Sequence, residues 1–451
     1  MQKNFFTIKK VNKTYNIILK SNMKYSCEDL QGSIYFAPDV LRNCCQRFFV
    51  NGERKGDVEI IKILSNKDLD YKKIIEEKKK IIKNLNEKKP TPCDGCPKIQ
   101  YKSWSDEIKI NKISLEAHSK CNARCSYCSE MFYGGLDPNY DLEFMLDDFK
   151  KNNFFDNKVA ATWGGGEPVL LKNFDGIFEK FINSKYPLFD DIRVYSNSII
   201  YNKLIHKYLD QKRIILTTST DAGTEKTFQL IRGVKKGFLK IFENLQKYNE
   251  KKNGNIIIKY ILTDENFQKS EINSFVKLIE KFDLLNCNFE ISTDYKFENL
   301  DLEKSSSIIY FYNQLKNKGA EFVHFDDHVR KRIFRTLENK IKLDDLEKNE
   351  IFRDLRKYFN KEIIIWGTGR YAQEVVNKSF LFKKAKVAFY VDSFFDGKKN
   401  KFVDTEVFSP QKILKSHLPI FIASSTYWQD IYRQIIQMGV DKKRVINTLV
   451  I

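Results

Sequence analysis

Between residues 106 and 330 the apolar positions follow a repeated order: a short run of β-branched and aromatic residues, then a longer stretch with apolar residues three and four apart. The first pattern suits strands buried on a pleated sheet and the second suits amphipathic helices. Strands are expected near 109–117, 158–162, 191–196, 213–219, 255–262 and 287–292, and helices at 142–151, 174–184, 202–210, 238–250, 268–281 and 302–318. This alternation predicts an α/β fold with a parallel sheet and helical crossovers. Six such units make a partial (β/α)6 TIM-like barrel, whose chemistry is expected at the C-terminal ends of the strands.

The flanks read differently. Residues 1–105 form a small cysteine-rich α+β region, with two short strands expected over 4–19, a strand at SIYFA and a helix over 70–88 stopped by Pro90 and Pro92. Residues 331–359 are charged and helix-like, a linker. Residues 360–451 return to strand, glycine turn and helix, a Rossmann-like α/β module. There Gly367, Gly369 and Ala372 spell G-x-G-x-x-A, and Asp392 follows at the distance of a ribose-binding acid. The module resembles those fused to enzymes of surface-polysaccharide and nucleotide-sugar modification. It admits two readings: a nucleotide site, with NAD(P) as one candidate, or a docking module that keeps only the fingerprint.

Composition narrows the setting. No uncharged apolar run reaches the roughly 18 residues of a membrane span, and MQKNFFTIKK lacks the apolar core of a signal peptide, so a cytoplasmic protein is expected. In that compartment nine cysteines read as metal ligands or free thiols rather than disulfides. The net charge of +19 comes from lysines mixed with acids along helix-like stretches, a solvated surface without any nucleic-acid motif.

The strongest chemical signal follows the first core strand. Cys121, Cys125 and Cys128 stand in C-x3-C-x2-C spacing within one short loop. Thiolates are soft ligands that select iron–sulfur clusters, zinc or copper(I). A [4Fe–4S] cluster normally takes four thiolates, so three leave one iron open to a small molecule. Zinc is the alternative, since His118 could complete a Cys3His site. After the second strand comes TWGGGEP, residues 162–168, where glycines permit close backbone approach beside an acid.

C-x3-C-x2-C with an aromatic before the last cysteine, followed by GGEP, resembles the radical S-adenosylmethionine (radical SAM) family. The resemblance implies a [4Fe–4S] cluster on Cys121, Cys125 and Cys128, shielded by Tyr127. It also implies SAM bound at the open iron and reductively cleaved to a 5′-deoxyadenosyl radical, with an electron donor such as flavodoxin or ferredoxin. Gly165, Gly166 and Glu167 match the segment that holds the SAM ammonium, with Asn197 a further contact. STDAGTEKTFQLIRG, residues 219–233, matches a stretch that recurs in the family, giving Ser219 and Asp221 to the ribose and Arg232 to the SAM carboxylate. The outcome of hydrogen abstraction is not specified. The C-terminal module points to a sugar or nucleotide-sugar substrate; peptide modification and a non-catalytic metal scaffold with a nucleotide-sensing tail are the alternatives.

A second metal site is expected before the core. Cys93 and Cys96 form a C-x2-C turn bent at Gly95, a half-site for a [4Fe–4S] cluster or zinc. Cys27, Cys44 and Cys45 are the other candidates. Neighbours on a strand point to opposite faces, so only one of Cys44 and Cys45 is expected to join.

Overall fold

The computed structural model describes residues 23–128, 135–340, 354–369, 371–373, 378–393, 395, 401–424 and 427–446. The two strands expected over 4–19 lie outside them. The chain divides into two compact units: Met1–Thr220 with Glu225–Ile258, and Asp221–Thr224 with Lys259–Ile451.

In the first unit, Ile110–Leu115, Phe155–Trp163, Leu188–Tyr195 and Ile214–Ser219 are successive parallel neighbours, and the Ile256–Leu262 strand lies next in order. Helices Leu142–Lys151, Phe174–Ile182, Lys203–Asp210 and Phe238–Tyr248 fill the crossovers close to their expected bounds. Their inner faces carry aromatic side chains. Trp163 meets the ring edges of Phe174, Phe178 and Phe181, all four buried. Such contacts fix each helix against the strand that precedes it.

The N-terminal region extends this sheet rather than standing apart. Ser33–Phe36 pairs parallel with Ile110–Leu115, and Val40–Arg42 and then Glu59–Lys62 add antiparallel strands beyond it. Helix Tyr71–Asn86 begins on an Asp70 cap and ends before the prolines, where Lys88 turns left-handed.

In the second unit Asn288–Thr293 pairs parallel with Phe322–Phe325. The strand expected near 287–292 is thus present, and a further one follows it. Helices Lys269–Lys281 and Leu302–Asn317 are the crossovers. Helix Asp327–Lys340 opens the stretch read as a linker; 341–353 lie outside the described residues. The C-terminal sheet runs Lys401–Phe402, Thr405–Phe408, Lys386–Val391, Glu362–Trp366, Ile420–Ile422. Its three long-separated strands are parallel about Glu362–Trp366, as a Rossmann-like module requires. No helix among the described residues is long and apolar enough to cross a membrane.

Candidate active site

Cys121, Cys125 and Cys128 sit half-buried in the loop after Ile110–Leu115. The loop is held from two sides. On one side the amides of Arg124 and Ser126 donate to the carbonyls of Arg232 and Ile231, at 2.8 Å each. These carbonyls end helix Glu225–Arg232, which the periodicity did not reveal. Gly233 follows at φ +62°, and a Cβ there would lie 2.7 Å from the Arg124 carbonyl oxygen. On the other side lies the glycine run. The amides of Gly166 and Glu167 donate to the carbonyls of His118 and Lys120, at 3.0 and 2.7 Å. A Cβ on Gly166 would fall 2.0 Å from the Lys120 oxygen, and one on Gly165 2.8 Å from that of His118. The glycines were expected to let backbone approach a ligand; what they approach here is the cysteine loop itself.

Glu167 is buried and accepts from Ser196 Oγ at 2.8 Å and the Asn197 amide at 2.7 Å. Burial pushes its carboxyl up to about 7 against the pull of these hydrogen bonds. Asn197 continues the chain of contacts: its Nδ2 donates to Asn122 Oδ1 at 2.6 Å and stands 3.9 Å from Cys121 Sγ. Asn122, between the first two cysteines, carried no signal of its own. Burial also raises the Cys121 thiol.

Tyr127 and Arg232 meet directly, the guanidinium donating to the phenol oxygen. The aromatic beside the last cysteine is therefore anchored by the arginine assigned to the SAM carboxylate. Ser219 is half-buried at the C-terminal end of its strand. In the second unit Asp221 is buried in a left-handed turn. Its carboxylate accepts from the Ile261 amide at 2.8 Å and its carbonyl from Asn266 Nδ2 at 2.9 Å. At least one of its oxygens is thus engaged in shaping the turn expected to meet a ribose. Glu271 secures the same turn, accepting from the amides of Gly223 and Thr224 at 2.6 and 2.9 Å. Glu271 lies 48 residues from Gly223, too far for any local pattern to reveal.

His118, the alternative zinc ligand, is buried, and burial lowers its ring to about 4. Among the described residues no three His, Cys, Asp or Glu side chains stand close enough to hold a single metal ion. Glu116 was also overlooked. It follows the first strand beside Gly165, in the fields of Arg42 and Arg47, and burial raises its carboxyl.

The N-terminal cysteines divide. Cys27, Cys44 and Cys93 share one apolar cluster with Leu30, Tyr35 and Ile82. Cys96, half-buried, lies across the turn from Cys93. Cys45, the other auxiliary candidate, is exposed. Cys44 and Cys45 both lie in the connection between the strands Val40–Arg42 and Arg47–Val50, the first buried and the second exposed. In the C-terminal module Gly367 takes φ +113°. Asp392 Oδ2 accepts from the Thr368 amide and hydroxyl at 2.9 and 2.6 Å, closing on the glycine turn. Gly369 has open space where a Cβ would stand.

Comparison with known proteins settles the family of the core. Residues 115–272 match the model of the radical SAM superfamily. The chain carries a radical SAM domain. Residues 359–446 match a second family model, C2185-like, N-terminal. No curated protein matches the chain. Solved structures that resemble it include native anSMEcpe with bound AdoMet and Cp18Cys peptide, at 17% identity and TM-score 0.37, covering 47% of this chain and 62% of that one. Others are Streptococcus suis SuiB bound to S-adenosylmethionine (14%, TM-score 0.38, 74% and 76%) and a radical SAM methyltransferase from Sphaerobacter thermophilus (14%, TM-score 0.36, 47% and 65%). The chain thus spans less than two thirds of the length of the first of these.

Proposed function

We propose that the radical SAM domain makes this chain an enzyme that cleaves S-adenosylmethionine and modifies an unactivated C–H position, with Cys121, Cys125 and Cys128 holding a [4Fe–4S] cluster. The donor set fits that group: three soft ligands in one loop, tied on both flanks by backbone hydrogen bonds. When bound, the cluster supplies the electron that splits SAM to a 5′-deoxyadenosyl radical. The rest is the work of the chain. Glu167 offers a buried carboxylate to the SAM ammonium, held by Ser196 and the Asn197 amide. The Gly165–Gly166 turn aligns that carboxylate with the cysteine loop. Asn197 links the two through Asn122. Arg232 orients Tyr127 and places a cation beside the loop. Ser219 is left for the ribose, with Asp221 shaping the turn that follows it. The observation that carries the reading is that Asn197, whose amide donates to Glu167, reaches both Asn122 and Cys121 with its side chain and so joins the acid of GGEP to the first cysteine.

The proposed substrate is a sugar or nucleotide-sugar of surface-polysaccharide synthesis, supported by the character of the C-terminal module. An electron carrier such as flavodoxin or ferredoxin is the proposed reductant. Anaerobic incubation with SAM, reductant and a set of perdeuterated nucleotide-sugars is the test. Deuterium entering 5′-deoxyadenosine identifies the substrate class. Deuterium entering only from a peptide substrate transfers the enzyme to the peptide-modifying reading.

A further inference from the structure

The run TWGGGEP holds one more glycine than the cysteine loop needs. Gly165 and Gly166 have no room for a Cβ, which would strike the carbonyl oxygens of His118 and Lys120. Gly164 is different. Its φ lies outside the left-handed region, and a Cβ there would stand 3.8 Å from Tyr195 Cβ and 3.9 Å from Glu116 Cγ, ordinary van der Waals distances. Among the described residues no other atom beyond its chain neighbours comes within 4 Å of that position. A small side chain would fit, and strand positions favour β-branched or aromatic residues. Glycine in such a place marks the close approach of a ligand or of another backbone. Here the atoms nearby belong to side chains, so no backbone takes the space.

The two flanking side chains share a face with that space. Trp163 is the register partner of both Leu115 and Val194, and it packs on helix Phe174–Ile182. Glu116, Gly164 and Tyr195 each come one residue later, so they turn to the face away from that helix. Tyr195 is 40% exposed there, a large ring left in the open. Glu116 is half-buried. Among the described residues its carboxylate accepts one weak hydrogen bond, from Ser114 Oγ at 3.4 Å, and closes no ion pair. Arg42 and Arg47 reach it through their field, and Arg47 is held by Asp57 at 2.7 Å. Glu167, by contrast, is satisfied by two short bonds. A shielded carboxylate with so little around it is short of a donor. The row also adjoins the SAM-holding residues. Gly165 follows Gly164, and Ser196 and Asn197, which hold Glu167, follow Tyr195.

We propose that Glu116, Gly164 and Tyr195 form the floor on which the substrate lies beside SAM, and that this floor selects a hydroxylated ring. Gly164 leaves the hollow. The Glu116 carboxylate accepts a charge-assisted hydrogen bond from a ring hydroxyl. The Tyr195 ring supports the C–H face of the sugar and keeps its own hydroxyl towards water. The inference rests on the nucleotide-sugar reading given above and names the residues that hold the hexose. All three are binding residues and take no part in delivering the electron to SAM.

The test is binding, which needs no cleavage of SAM. UDP-, GDP- and dTDP-linked hexoses are titrated calorimetrically into the anaerobically reconstituted full chain with SAM present. At least one is expected to bind, and binding of none overturns the inference. For the one that binds, Glu116→Gln keeps the shape and removes the charge, and should weaken affinity about tenfold or more. Glu116→Asp should fall between. Gly164→Val should abolish binding and Gly164→Ala should weaken it several-fold, because each fills the hollow. Tyr195→Ala should weaken it several-fold, and Tyr195→Phe should recover most of that loss. Iron per chain and melting temperature, read on the same samples, show that each variant is folded. Should Gly164→Val fail to fold, Gly164→Ala and Glu116→Gln still decide. Affinity unchanged in both of these places the hexose elsewhere in the chain and overturns the floor. An equal loss for the nucleoside diphosphate alone in Glu116→Gln overturns the contact with the hexose. The two readings fail separately. A parent that binds a nucleotide-sugar through Glu116 but forms no 5′-deoxyadenosine keeps the floor and loses the radical chemistry. A parent that forms 5′-deoxyadenosine but binds none of the nucleotide-sugars keeps the chemistry and loses the floor.

Discussion

Glu167 is where sequence and environment combine most directly. The motif places the acid; the fold buries it and pushes its carboxyl to about 7. A SAM ammonium needs the carboxylate, so below that pH each binding event must first remove a proton. SAM binding to the cluster-loaded protein should therefore tighten about tenfold between roughly pH 6 and pH 8, as expected of one unit below the pKa. Glu167→Gln should flatten the profile and weaken binding by roughly 2 kcal/mol. Isothermal titration at several pH values checks both, and a steep profile retained in Glu167→Gln assigns the proton elsewhere. The same upward shift has a stability consequence. An acid with a raised folded pKa contributes stability that is present below its unfolded value and is lost as pH rises through the folded one. The metal-free protein should thus lose this contribution between about 4.5 and about 7, and melting curves of Glu167→Gln should lack it. Gly166 was legible as a residue that needs no side chain, but its neighbour was not. The sequence suggested a ligand, whereas the Lys120 carbonyl oxygen occupies the space. Gly166→Val should consequently lose iron from the core cluster as well as SAM, measured as iron per chain after reconstitution. Full iron with SAM alone lost would restore the ligand-facing role.

At the scale of elements, the strands and helices of the core were readable because each buries one face and repeats with its own period. The helix Glu225–Arg232 escaped because eight residues, with Phe228 and Ile231 as its buried apolar anchors, show too little periodicity. Its importance lies in its end, where two carbonyls receive the cysteine-loop amides. Gly233→Ala should push on Arg124 and release the cluster to a chelator several-fold faster. Gly319→Ala is the matched control: that residue also has positive φ, at +98°, but meets nothing within 4 Å. Equal release rates for the two would attribute the effect to backbone strain alone. The N-terminal strands that extend the core sheet were not legible either. Ser33–Phe36 was readable as a strand, but its partner Ile110–Leu115 lies far along the chain, and pairing leaves no local mark.

For the molecule as a whole, the two cysteine groups were legible as spacing, whereas their internal division was not. Cys44 and Cys45 are adjacent in the chain, yet the first is buried in one cluster with Cys27 and Cys93 and the second is exposed. Only the folded chain decides which is which. The C-terminal fingerprint shows the same limit: Gly367 and Asp392 were readable, and the bond of Asp392 back to Thr368 was not. The central claim remains that Cys121, Cys125 and Cys128 support reductive cleavage of SAM. The most direct measurement is 5′-deoxyadenosine formed by the anaerobically reconstituted protein with SAM and dithionite, compared with the Cys121→Ala, Cys125→Ala and Cys128→Ala variants. The account predicts 5′-deoxyadenosine and methionine in equal amounts from the parent protein and none above background from any of the three. A reconstituted parent with its full iron that forms no 5′-deoxyadenosine, or a variant that forms as much as the parent, would contradict it.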